Sequence, residues 1–446
     1  MAEKQKKAAH SRKEKIMIDV IGAGLAGCEA AYYLATRGIE VNLIDMKPLA
    51  YTPAHASPLF AELVCSNSLK SDDVYGNACG LLKEEMRRLG SLTMQAAEVA
   101  RVPAGGALAV DRDKFSAYVT EKIKSCPKIH VVAQEVSVLP ERGIVATGPL
   151  TAGKLFEDIS KKLGGGLHFY DASAPIVSAD SIDDTATFTG DRYGKGTGDY
   201  INCPLTKEEY ETFVTELINA EKATLHAFEK REIFEGCMPV EIMASRGKDT
   251  LRFGTFKPVG LFDGEGKRPY AVLQLRKENG AGTSYNLVGC QTNLKFGEQK
   301  RVFSLIPALK NAEFLRYGVM HRNTYLNSPD VLNADFSVKG NPELFFAGQI
   351  TGVEGYVESA MSGLLAGIHA YRRAVGKPTV VPEDSTVCGA LSRYIATPNR
   401  DFQPMNANYG VLRAGFAEIR DKKLKRQRLG ERALAEIEQF RALTLS

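Results

Sequence analysis

Residues 16–45 read IMIDVIGAGLAGCEAAYYLATRGIEVNLID, and this stretch decides the fold. Ile16 to Ile21 is a short apolar run ended by glycine, the pattern of a strand buried in a parallel sheet. Leu25 to Arg37 has helical spacing, and Gly38 follows where a left-handed residue closes a helix. Ile39 to Ile44 is a second strand, ended by Asp45. Strand, helix and strand in this order predict a doubly wound α/β sheet. The turn between them is Gly22-Ala23-Gly24-Leu25-Ala26-Gly27. Its first glycine permits a tight turn, its second lets a pyrophosphate approach the backbone, and its third lets helix and sheet pack closely. The anion would sit on the free amides of the helix N-terminus. Asp45 stands where such sites carry the acid that binds a ribose. The competing reading is a Gly-rich βα turn with Asp45 as a surface residue.

Outward from this unit, helices are predicted over 74–89 and 114–124, and strands over 129–138 and 143–148. The last of these, with its VATG end, suits a place beside the first strand. Near the other end, LFFAGQITG (344–352) is a strand closed by Gly348, followed by Gly352 and a helix over 358–375. Flavoproteins that bind a dinucleotide use such a late strand and turn to hold the flavin side, so the pattern points to FAD rather than NAD. The middle differs. Residues 180–198 are polar and Gly-rich, Thr206 and Glu209 fit a capping box, and 242–288 reads as short strands between Gly and Pro turns. The expected architecture is α/β: an FAD-binding Rossmann-like domain (16–175 and 329–446) interrupted by an inserted α+β domain (176–328). A disordered basic tail (1–15) precedes it, and a charged helix from Phe416 ends it.

The composition, 44% hydrophobic and 25% charged, allows a sizeable core. No apolar run is long enough to span a membrane, and the N-terminus has no secretory apolar segment, so a cytoplasmic protein is expected. Eight cysteines occur without a CxxC pair, which argues against a zinc site or a dithiol redox motif; no metal is expected. Cys65, in LVCSNSL, and Cys237, in FEGCMP, lie in turn-like settings. Each is read first as an inert thiol and second as a nucleophile, which would need a lowered pKa. The net charge of +4 permits nucleic-acid binding without arguing for it. The run RDKKLKRQR (420–428) reads first as a solvated helix face and second as an RNA contact.

Longer strings are more specific. IDVIGAGLAGCEAA, TPAHASPLFAELVCSNSL, VPAGGALAVDR, FEGCMPVE, YGVMHRNTYLNSP, LFFAGQITGVEGYVESAMSGLLAG and FQPMNANYG together resemble the TrmFO family of FAD- and folate-dependent tRNA (uracil-C5-) methyltransferases, from about Ile16 to Gly410. The resemblance implies that the methylene of 5,10-methylenetetrahydrofolate reaches C5 of the T-loop uridine at tRNA position 54 by way of the flavin. NAD(P)H would supply reducing equivalents, and tRNA would bind through its T-arm. It implies Cys237 as the nucleophile that adds to uracil C6, and Cys65, beside the flavin, as base or accessory thiol; exchanged roles stay open. The chemistry is coherent: uracil C5 is a poor nucleophile until a thiolate at C6 makes it an enolate carbon. Two positions depart from the family pattern: Asp45 where Glu is commoner in flavoproteins, and Phe296 where Trp is expected. Three rivals remain. One is the same chemistry on a 23S rRNA uridine. Another is the larger GidA-type wobble-uridine enzyme, with a long helical C-terminal extension. The third is a plain flavin oxidoreductase or flavin-bound RNA-binding protein.

Overall fold

The computed structural model describes residues 16–164, 166–194, 196–223 and 238–445. The N-terminal tail and Cys237 therefore lie outside the described residues. A six-stranded sheet forms the first layer, in the order Ser337–Val338, Asn341–Phe346, Gly143–Val145, Met17–Ile21, Glu40–Asp45, Ile129–Ala133. The opening strand lies parallel between its neighbours, with Val20 opposite Leu43 on one side and Ile144 on the other. Val20, Leu43 and Ile144 are fully buried, as strands covered on both faces require.

The helix Leu25–Thr36 crosses from the first strand to the second and packs on the helix Tyr356–Ala374. Contact is very close: a Cβ on Gly363 would lie 2.1 Å from the carbonyl oxygen of Ala26. The first helix and the late helix thus share one core, which also takes in Ala433, Leu434, Ile437 and Phe440 on the C-terminal helix Lys422–Leu445.

A second, antiparallel six-stranded sheet runs Phe188–Thr189, Tyr200–Leu205, Ala271–Lys277, Ser284–Leu287, Ile176–Ser178, Phe314–Arg316. The helix Lys207–Asn219 covers it through Tyr210, Phe213, Val214 and Leu217. That helix opens with the capping box read in the sequence: Thr206 accepts the Glu209 amide at 3.2 Å, and Glu209 accepts the Thr206 amide at 2.8 Å. A two-stranded ribbon, Leu167–Ala172 paired antiparallel with Met320–Tyr325, carries the chain into and out of this sheet.

Four local readings need correction, the simplest being the charged helix read from Phe416, which begins at Lys422 after Asp421 accepts the Leu424 amide. The segment read as strands from Ile242 is helical at first, over Val240–Ser245 and Thr250–Phe253. Its start is fixed from a distance: the Val240 amide donates to Gln291 O at 2.7 Å, and Glu241 accepts Thr292 Oγ1 and the Asn293 amide, both at 2.9 Å. The strand read over 129–138 stops at Ala133, because it is the sheet edge and its partner ends at Asp45. The helix read from Val74 begins at Ala78, where Asn77 accepts the Cys79 amide. Among the described residues no helix is long and apolar enough to cross a membrane.

Candidate functional site

The Gly-rich turn sits at the carboxyl end of the central strand, and each glycine has a visible reason. Gly22 has φ +101°, and a Cβ there would lie 2.4 Å from Ala146 O. A Cβ on Gly27 would lie 1.7 Å from Gly22 O, so the helix could not seat against the turn. Gly24 is different: a Cβ on it would meet nothing within 4 Å. The space beyond Gly24 belongs to a cleft lined by Gly22 to Ala26, Asp45, Thr147, Gly148, Gly348 and Tyr356 among others. No side chain caps the helix behind Gly24, which leaves its first amides open toward that space. Asp45 braces the turn, accepting the Ala23 amide at 2.6 Å through Oδ2 and the Lys47 amide at 2.8 Å through Oδ1.

A bare Cα facing an elongated cleft, an uncapped helix N-terminus and a carboxylate at the end of the second strand fit a dinucleotide. Gly348 lines the same cavity, whereas Gly352 does not. Gly352 instead holds a left-handed turn beside the Phe402 ring, where a Cβ would come within 2.5 Å. Two cavity residues escaped the sequence reading. Lys47 is buried and donates from Nζ to Ser57 O, at 3.3 Å, and to Leu59 O. His55 contacts Thr52 Oγ1 at 2.5 Å, and burial keeps its imidazole pKa below the ordinary value.

Cys65 stands at the end of this cleft. A second cavity opens beside it, lined by Cys65, Ser66, Lys70, Gln291, Glu354, Glu358 and Asn406, and shares Gln349 and Tyr356 with the first. The Tyr356 phenol is the hinge between the two. Its oxygen accepts the amides of Cys65, at 2.7 Å, and of Ser66, at 3.3 Å, and lies 2.9 Å from Cys65 Sγ. With both acceptor positions taken by amides, the phenol proton is directed at the sulfur. Burial, and next the neighbouring Cys65, push the Tyr356 pKa well above the usual phenol value, so this oxygen keeps its proton.

The loop that carries Cys65 is held by the second sheet. Arg276 donates to Asn67 Oδ1 at 2.9 Å and to Ser66 Oγ at 3.0 Å, and Asn67 returns a bond to Lys277 O at 2.8 Å. Arg112 pairs with Glu278 at 2.7 Å and donates to Leu63 O at 2.9 Å. Burial, then the neighbouring Arg112, hold the Arg316 pKa below its usual value; Tyr356 and Cys65 also lie within its field. The Arg316 guanidinium therefore acts on Cys65 directly, while Arg112 and Arg276 hold the loop that carries it. On the far wall Glu358 is fully buried. Its Oε1 accepts the Ala407 amide at 2.9 Å, and its Oε2 has no hydrogen-bond partner among the described residues. Five of the other described cysteines, Cys28, Cys79, Cys203, Cys290 and Cys388, are buried, and burial raises the pKa of each, as for inert thiols.

Phe296 stacks on Tyr317 at 4.8 Å, and Tyr317 on Phe314 at 5.4 Å, leaving the outer ring 54% exposed.

A family described as "Glucose inhibited division protein A" matches residues 17–378. A protein of Acetivibrio thermocellus is 58% identical over 428 residues, covering 95% of this chain and 98% of the relative. It is named methylenetetrahydrofolate--tRNA-(uracil-5-)-methyltransferase TrmFO. The chain belongs to the TrmFO family. A second member, from Desulfitobacterium hafniense and of the same name, is 57% identical over 430 residues, covering 95% of this chain and 98% of the relative. Among solved structures, Aquifex aeolicus GidA superposes with TM-score 0.69 at 16% identity, over 96% of this chain and 73% of that one. At that identity the likeness speaks for the fold.

Proposed function

We propose that the protein is a folate-dependent tRNA (uracil-C5-)-methyltransferase that binds FAD in the first cavity and forms 5-methyluridine at position 54. The observation that carries this reading is the placing of Cys65, under the Tyr356 proton, where the dinucleotide cleft meets a second cavity. The names of the two family members support the substrates, with 5,10-methylenetetrahydrofolate as one-carbon donor and tRNA as acceptor. NAD(P)H as reductant completes the electron count. FAD, when bound, supplies the hydride that turns a transferred methylene into methyl.

The residues of the chain do the rest. One thiolate adds to uracil C6 and makes C5 an enolate carbon, which takes the one-carbon unit. The C5 proton then leaves to a base, the methylene receives its hydride, and the thiolate departs from C6. We assign the addition to Cys237 and the base or accessory role to Cys65. Cys237 lies three residues before Val240, whose amide is bonded to Gln291 O. Gln291 lines the cavity that holds Cys65, and three extended residues reach about 10 Å. Gly22 to Gly27, Asp45 and Gly348 are assigned to the cofactor, and residues 176–328 to an inserted domain that braces the Cys65 loop. Gly352 is assigned to shaping the late turn.

The test is incubation of the flavin-loaded protein with unmodified tRNA transcript, methylenetetrahydrofolate and NADPH, followed by nuclease mapping and mass spectrometry. Folate-dependent 5-methyluridine in the T-loop is the expected result. Methylation of a 23S rRNA fragment instead would redirect the RNA assignment, and none on either would sink the transferase reading.

A further inference from the structure

The mechanism leaves a strongly charged surface unused. The first two turns of the C-terminal helix carry Lys422, Lys423, Lys425, Arg426 and Arg428, and Arg420 directly precedes them. Arg428 pairs with Glu431 at 2.8 Å. Asp421 is spent as a cap, accepting the Leu424 amide at 2.8 Å. Among the described residues, the side chains of Arg420, Lys422, Lys423 and Lys425 make no hydrogen bond or ion pair, and all but Lys425 are exposed. Cations at a helix N-terminus oppose the helix dipole. Among the described residues no carboxylate pairs with Arg420, Lys422, Lys423 or Lys425, so these four cations are open to an external counter-charge.

The helix is a rigid mount for that charge. Ala433, Leu434, Ile437 and Phe440 bury its later turns in the main core. At Gly430 the helix approaches Tyr75 so closely that a Cβ would lie 2.8 Å from the ring. The charged end also connects to the reaction site. Arg426 lies over the Tyr409 ring at 5.4 Å and donates to Gly76 O at 3.2 Å, while Tyr409 donates to Tyr75 O at 2.7 Å. Asn406, three residues before Tyr409, lines the cavity that holds Cys65. Its neighbour Ala407 is tied to Glu358 in the wall of that cavity. Three residues span at most about 10 Å, so Tyr409, with Arg426 over its ring, lies within that reach of Asn406 in the cavity wall.

We propose that this stripe, from Arg420 to Arg426, is the phosphate-binding surface on which the tRNA backbone rests while its target base enters the cavity beside Cys65. The proposal rests on the functional reading above and adds the surface to it. Lysine ammonium groups suit this role, since they neutralise successive phosphates without reading bases. RNA docked there keeps its backbone outside while one base turns inward.

The test is the triple variant K422Q/K423Q/K425Q of the full flavin-loaded protein, compared with wild type. Affinity for unmodified tRNA transcript is measured by fluorescence anisotropy from 50 to 200 mM KCl, alongside steady-state methylation. The variant should bind about tenfold or more weakly near 150 mM salt, with a salt slope shallower by about 2 to 3, since each lost phosphate contact removes close to one released counterion. KM for tRNA should rise while kcat, flavin content and melting temperature stay at wild-type values. A wild type that methylates tRNA, paired with a variant of equal affinity and slope, would overturn the stripe alone. A wild type that neither binds nor methylates the transcript would overturn the functional reading and the stripe together.

Discussion

Tyr356→Phe is the change that isolates the thiol from the rest of the site. The ring stays and keeps its packing, so the variant loses one oxygen. That oxygen accepts two amides, at 2.7 and 3.3 Å, and faces Cys65 Sγ at 2.9 Å. A hydrogen bond to a charged acceptor contributes about 1.5 to 3 kcal/mol, so losing O–H···S⁻ lowers the thiolate population about tenfold or more. The Cys65 and Ser66 amides lose their acceptor as well, which costs about 1 kcal/mol or more in fold stability. The assay is alkylation by iodoacetamide at fixed pH near neutrality, with the Cys65 peptide quantified by mass spectrometry. Modification of Cys65 should slow about tenfold in Tyr356→Phe, while flavin content stays at the wild-type level. Equal alkylation rates in a variant that holds its flavin would refute the proton assignment. A variant that loses its flavin outright would show instead that the phenol serves the first cavity.

Other predictions follow from single contacts. Gly24→Ala should melt at the wild-type temperature but bind FAD more than tenfold less well, because its methyl enters the cleft and meets no protein atom. Gly27→Ala should fail to fold, because its methyl overlaps Gly22 O; a soluble, flavin-loaded Gly27→Ala would contradict the packing. Asp45→Ala frees the Ala23 and Lys47 amides, and a flavin titration should find binding about 10- to 100-fold weaker, equivalent to roughly 1 to 3 kcal/mol. Glu85 is fully buried, and burial raises its pKa to about 7 although it accepts the Val387 and Cys388 amides at 2.8 Å. The folded state thus holds this proton more tightly than the unfolded chain. Stability should fall as pH rises from 4.5 to about 7, by up to about 3 kcal/mol, and level off above. Urea melts across that range should lose this component of the slope in Glu85→Gln.

How much of this was readable from the chain depends on how far apart the partners lie. The dinucleotide turn was legible because its parts are local: Gly22, Gly24, Gly27 and Asp45 lie within one βαβ unit, and each answers a constraint imposed by its neighbours. The capping box at Thr206 and Glu209 was legible for the same reason. The setting of Cys65 was not. Its phenol partner, Tyr356, comes from 291 residues away, and the guanidinium that pins Ser66 is 210 residues away. No spacing rule spans such distances. The one available signal was Tyr356 itself, a polar ring inside the specific string GVEGYVESA. The segment after Pro239 failed in the opposite direction. Its Ile, Thr, Phe and Val residues have local preferences that fit a strand, yet Val240 and Glu241 are held by Gln291, Thr292 and Asn293, and those bonds start a helix. The same anchor ties Val240 to Gln291, which lines the second cavity. In this fold, then, the cofactor half of the site is written into one short stretch of chain. The half around Cys65 is assembled by contacts of its loop with Tyr356 and with the second sheet, so substitutions at Arg276 or Asn67, far from any motif, should disturb the thiol before they disturb the flavin.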